Sequence, residues 1–119
     1  MRVSIALGFI ALLSVDASAG TTVASLNQAD IRSRLIGHSY YGTEDGVAYT
    51  EKLLPDGTVR GTDKTGAYGG SWTIRSPDTI CLRIEDDTSP DCSRVIIDGN
   101  RIKWISSDGA VTYSTFASN

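Results

Sequence analysis

The sequence predicts a mainly β fold, an up-and-down antiparallel meander of about eight strands after one short N-terminal helix. Three observations predict it. From His38 onward the chain breaks into short runs rich in Val, Ile, Thr and Tyr. Almost every run stops at a Gly, Pro, Asn or Asp turn. Within the runs, apolar residues recur at every second position, as they do on a strand with one face buried.

The segment 1–19 reads as a secretory signal. Arg2 gives it a positive start, Val3 to Val15 is almost entirely apolar, and Ala17 and Ala19 supply the small residues of a cleavage site before Gly20. The apolar run is too short for a comfortable membrane span, which needs about 20 residues. The expected mature chain, 20–119, is one small domain in the periplasm or outside the cell. The whole chain has 11 Lys and Arg against 14 Asp and Glu, and losing Arg2 and Asp16 together leaves the net charge at −3. No clustered basic patch points to nucleic acid. In an exported chain the only two cysteines, Cys81 and Cys92, are expected to form a disulfide.

The helix has two candidate starts: Ser25 with Gln28 three residues on, or Asn27 with Asp30. It runs to about Leu35, and Gly37 is placed to end it. His38 to Tyr41 opens the first strand, turned by Thr43 to Gly46. Val47 to Leu54 follows, with Val47, Tyr49 and Leu53 on one face and Glu51 with them. After Pro55-Asp56-Gly57 come Thr58 to Thr62 and the turn Asp63 to Gly66. Tyr68 to Ile74 puts Gly70, Trp72 and Ile74 on one face. Beyond Ser76-Pro77-Asp78, the strand Thr79 to Ile84 separates Ile80, Leu82 and Ile84 from Cys81 and Arg83. Cys92 to Ile97 separates Val95 and Ile97 from Cys92 and Arg94, so pairing the cysteines brings both apolar sets to one face. Arg101 to Ile105, with Ile102 and Trp104 inward, and Val111 to Phe116 complete the meander. Eight strands close into a small calycin-like barrel and so remove their exposed edges; a split sandwich is the alternative.

Few residues suggest chemistry. His38 is the sole histidine, so a nucleophilic triad or a structural zinc lacks partners. No catalytic residue, metal or cofactor is expected. Glu85, Asp86, Asp87 and Asp91 form an acidic loop between the cysteines, which reads as a solvated loop, with calcium or a basic partner as the sharper options. An inward Glu51 asks for a Tyr or Arg donor. Tyr49, Tyr68, Trp72 and Trp104 are the aromatic candidates for lining a ligand site. Arg83 and Arg94 share the disulfide face and are the candidates for meeting an anion.

The order Pro55-Asp56-Gly57-Thr58, Gly70-Ser71-Trp72, Cys81, Cys92 resembles that of small exported proteobacterial proteins of unknown function, over roughly Ile36 to Gly109. That resemblance implies a bacterial envelope location and no known activity. More distantly, the chain looks like the periplasmic barrel inhibitors of secreted metalloproteases, which have one disulfide and a Gly-x-Trp strand. This second likeness implies an N-terminal trunk that enters a protease cleft, here Gly20 to Ser25. The expected function is thus a non-enzymatic binding module for a small ligand or an envelope protein, with protease inhibition through the N-terminal arm as the alternative.

Overall fold

The structure, a computed structural model, describes residues 24–118. The expected signal, 1–19, and most of the expected N-terminal arm, 20–23, lie outside the described residues. One helix, α1 (Gln28–Arg34), precedes eight strands: β1 (Ser39–Glu44), β2 (Val47–Leu53), β3 (Thr58–Asp63), β4 (Gly66–Arg75), β5 (Thr79–Ile84), β6 (Asp91–Asp98), β7 (Arg101–Ser106) and β8 (Val111–Phe116). Each strand pairs antiparallel with the next, and β8 returns to β1, so the meander closes into a barrel. Closure decides between the two expected architectures: it is a barrel, not a split sandwich.

The turns follow from their residues. Asp45 and Gly46 both take positive φ (52° and 81°), which a two-residue hairpin of this hand requires, so β1 and β2 extend further than the Thr43–Gly46 turn expected. Asp56, Asp63 and Asp108 each accept a backbone N–H two residues on, from Thr58, Thr65 and Ala110. Of the two possible helix starts, Asn27 is the one used: its Oδ1 accepts the Asp30 N–H at 2.9 Å. Gly37, at φ 89°, turns the chain out of the helix and gives its N–H to the Leu53 carbonyl.

The helix closes one end of the barrel. Leu26 donates its N–H to Val95 O, and Gln28 donates to Pro77 O, so main-chain bonds stitch the approach to the helix onto the strands. Ile31 and Leu35 are fully buried, in one cluster with Leu53, Val59, Ile80, Val95, Ile97 and Ile102. Trp72 sits with them. Its indole N–H donates to Leu54 O at 2.8 Å, and the Arg32 guanidinium lies 5.9 Å from its ring. The Cys81–Cys92 disulfide joins directly opposed residues of β5 and β6 on the outer face, at the base of the acidic loop.

The two glycines before Ser71 differ. A Cβ on Gly70 would stand 2.2 Å from the Arg83 carbonyl oxygen and 2.9 Å from Ile84 Cα, so β4 and β5 pack backbone to backbone there. A Cβ on Gly69 would meet nothing nearer than the Glu85 carboxylate at 3.4 Å. Gly70→Ala should therefore cost about 1–3 kcal/mol or more, as overpacking against unyielding backbone does. Gly69→Ala should be close to neutral. Paired urea denaturation curves of the two variants check this, and equal midpoints would refute the packing argument.

Candidate functional site

The end of the barrel opposite the helix is open. Because the strands alternate, side chains of β1, β2 and β5 to β8 point into a cup of about 500 Å³. Its deep wall is aromatic: Tyr40, Tyr49 and Trp104, with Tyr40 tilted 5.5 Å from Trp104 and edge-on to Tyr49 at 6.4 Å. Ile80, Leu82 and Ile84 make an aliphatic side. Glu44, Glu51, Asp87, Asp91 and Asp108 bring carboxylates, and Ser93 and Ser106 bring hydroxyls.

Two hydrogen-bonded bridges hold the aromatic wall. Tyr40, Glu51, Gly61 and Tyr68 stand side by side on β1 to β4. The Tyr40 hydroxyl donates to Glu51 Oε2, and the Tyr68 hydroxyl donates to Glu51 Oε1 at 2.7 Å. Tyr68 reaches Glu51 only because Gly61 lies between them: a Cβ there would fall 2.2 Å from the Tyr68 ring. The second bridge repeats the device. Tyr49, Gly42 and Ser114 are neighbours on β2, β1 and β8. Tyr49 Oη and Ser114 Oγ lie 2.7 Å apart across Gly42, and Ser114 Oγ accepts the Trp104 indole N–H at 2.9 Å.

The electrostatics follow from burial and crowding. Burial first, then the Glu51 charge and hydrogen bond, pushes the Tyr40 hydroxyl well above its usual range. Tyr68 is raised by burial first, then by its hydrogen bond to Glu51 and the Glu51 charge. Tyr49 is raised chiefly by burial, against the lowering effect of its bond to Ser114. All three hydroxyls keep their protons at neutral pH. The Glu44 carboxyl is raised by partial burial, then by the charges of Asp45, Glu51, Asp91 and Asp87.

The structure separates the expected site residues. Tyr49 and Trp104 line the cup. Tyr68 buttresses it through Glu51 without lining it. Trp72 lies at the closed end beneath the helix. Arg83 and Arg94 are on the outer face with the disulfide, exposed and away from the cup, and Arg83 Nε donates to the Asp87 carbonyl at 3.3 Å. Tyr40 also lines the cup, and Glu44 lines it unanticipated, although its alternation on β1 carried the signal. His38 is exposed at the helix-to-strand junction, with its ring 6.0 Å from Phe116. Among the described residues, no three His, Cys, Asp or Glu side chains are placed to hold a metal ion.

The Tyr68–Glu51 bridge makes a quantitative prediction. Tyr68→Phe should cost about 1.5–3 kcal/mol, as loss of a hydrogen bond to a charged group does. Gly61→Ala should cost a similar amount by displacing the ring, yet add little in the Tyr68→Phe, Gly61→Ala double variant. A denaturation double-mutant cycle checks it, and strict additivity would break the link between glycine and bridge. No family model matches the chain, and no curated protein matches it, so the functional reading stands on this geometry.

Proposed function

We propose that this protein is a non-enzymatic, exported barrel that binds one small molecule in its open cup. The observation that carries the reading is the shape of the interior. The helix and the aliphatic core fill one half, while the other half is a cavity of about 500 Å³, within the range of small-molecule sites. Its wall combines apolar area with a few polar groups held at fixed positions. An interior built only for stability would be packed to the rim, because each unfilled void forgoes favourable contacts.

Glu51 is committed to two tyrosines, and His38 is remote from the cup on the outer surface. An N-terminal inhibitory arm would fall largely on 20–23, outside the described residues. Leu26, just beyond that arm, is tied to the closed end by its main-chain bond to Val95.

The test of the reading uses 1-aminoanthracene, an apolar dye that is neutral at pH 7 and brightens when it leaves water. Its fluorescence should rise with saturable, one-site behaviour. Leu82→Trp, which fills the cup from a half-buried wall position, should weaken binding about tenfold or more, a loss of about 1.4 kcal/mol. No rise, or a rise indifferent to Leu82→Trp, would overturn the reading.

Export is part of the proposal. The disulfide is consistent with an oxidising compartment, and the first residues carry the features of a cleaved signal. N-terminal sequencing of the protein from the envelope fraction or medium should begin at Gly20. Recovery of the full-length chain from the cytosol, with free thiols, would refute export.

A further inference from the structure

The charges and hydroxyls of the cup are not neutral with respect to what enters it. The lining includes Glu44, Glu51, Asp87 and Asp91, and among the described residues that line it there is no Lys, Arg or His. An anion entering here would meet only like charge. A neutral molecule would leave those carboxylates crowded in a space that partly excludes water.

A second and independent observation lies deeper. Ser93 is 8 % exposed and lines the cup, yet its hydroxyl makes no side-chain hydrogen bond among the described residues. Buried hydroxyls are normally paired, because one left unpaired has given up its water for nothing. A ligand group that donates or accepts a hydrogen bond would satisfy it, so Ser93 calls for a polar ligand while the surrounding acids choose its charge.

The carboxylates are not arranged for a metal, since no three of them come together among the described residues. They are spread around a cavity whose remaining wall is Tyr40, Tyr49 and Trp104 beside Ile80, Leu82 and Ile84. Aromatic faces attract an organic cation through the negative charge above each ring, and more strongly where the contact is dry. The aliphatic side suits an apolar body.

We propose that the ligand is an organic ammonium ion with an apolar body, its N–H groups facing the cup's carboxylates and Ser93, and its body lying along the aromatic and aliphatic walls. This rests on the reading of the cup as a small-molecule site and names the chemistry it selects. The raised Glu44 carboxyl agrees with it, because a bound cation would relieve the crowding that burial and neighbouring acids impose.

The test compares three shape-matched probes by nuclear magnetic resonance on the full mature chain at low salt and pH 7: phenethylammonium, 2-phenylethanol and 3-phenylpropionate. The reporters are the two indole N–H peaks. Trp104 lines the cup, whereas Trp72 bonds Leu54 at the closed end and is the internal control. Phenethylammonium should move the Trp104 peak and leave the Trp72 peak in place. It should bind about fivefold or more tightly than the alcohol, and the propionate should be weakest. Glu44→Gln, a change at the exposed rim, should weaken the ammonium probe several-fold and leave the alcohol unchanged. Ser93→Ala should weaken the ammonium probe while the fold, read from the remaining peaks, is retained. If the alcohol binds as tightly as the ammonium, or Glu44→Gln affects both alike, charge selection is overturned and the cup remains a ligand site. If none of the three moves the Trp104 peak, the ammonium inference and the small-molecule reading fall together.

Discussion

A carboxylate buried in the wall of a small barrel is the constraint on which the upper half of this structure depends. Glu51 is 8 % exposed, and an ionised group so placed is tolerated only if its oxygens are hydrogen-bonded. Tyr40 supplies one donor from the adjacent strand. The other comes from two strands away, and Tyr68 can deliver it only across a residue with no side chain. The bond therefore dictates the register of four strands and the glycine at position 61. It also fixes Tyr40, the ring that packs on Trp104 and Tyr49 to form the deep wall of the cup. The Tyr49–Ser114 bridge over Gly42 does the same across the β1–β8 seam where the barrel closes, and its serine also takes the Trp104 indole N–H. Two short polar chains thus hold three aromatic rings in place around a space that no side chain of the described residues fills.

Charge is distributed unevenly along the barrel. The strand ends and turns at the open mouth carry Glu44, Asp45, Asp63, Glu85, Asp86, Asp87, Asp91 and Asp108 against Lys64, whereas the helix end sets Arg32, Arg34 and Arg75 against Asp30, Asp56, Asp78 and Asp98. Part of the acidic excess is turn chemistry. Asp63 and Asp108 accept backbone N–H bonds that shape their hairpins; the Thr65 hydroxyl and then its N–H hold the Asp63 carboxyl below the usual range, and the Ala110 N–H does the same for Asp108. Turn building accounts for neither Glu44, which is a strand residue raised by its surroundings, nor Asp91, whose side chain faces Ser106 across the sheet. A mainly acidic mouth above a partly apolar cavity also concentrates the field, which would favour entry of a cation and depend on salt.

What was legible in the sequence was local. Turn residues and alternation placed all eight strands, and they placed the two cysteines opposite one another, because in-or-out is settled by a period of two. Depth was not legible. Trp72 and Trp104 read alike as inward aromatics, yet one lies under the helix and the other in the cup, because the height of a residue depends on how strand register accumulates around a closed barrel. The same limit hid the Tyr68 bridge. Glu51 called for a Tyr or Arg donor, but choosing Tyr68 requires knowing that Gly61 stands between them. Arg83 and Arg94 fell on the disulfide face by alternation alone, and in a closed barrel that face is the outside.

The two halves of the interior therefore answer to different demands. In the closed half, Ile31 and Leu35 of the helix complete a core of Leu53, Val59, Val95, Ile97 and Ile102, and this is where burial of apolar area supports the fold. In a domain of this size net stability is about 5–15 kcal/mol, so an unfilled upper half is tolerable only because the lower half is dense and the Cys81–Cys92 link restrains the unfolded chain, by roughly 3 kcal/mol in the entropic account. The helix and disulfide thus do more than stabilise. They relieve the mouth of the need to be packed, and that freedom is what lets carboxylates, a buried serine hydroxyl and aromatic faces stand around open space.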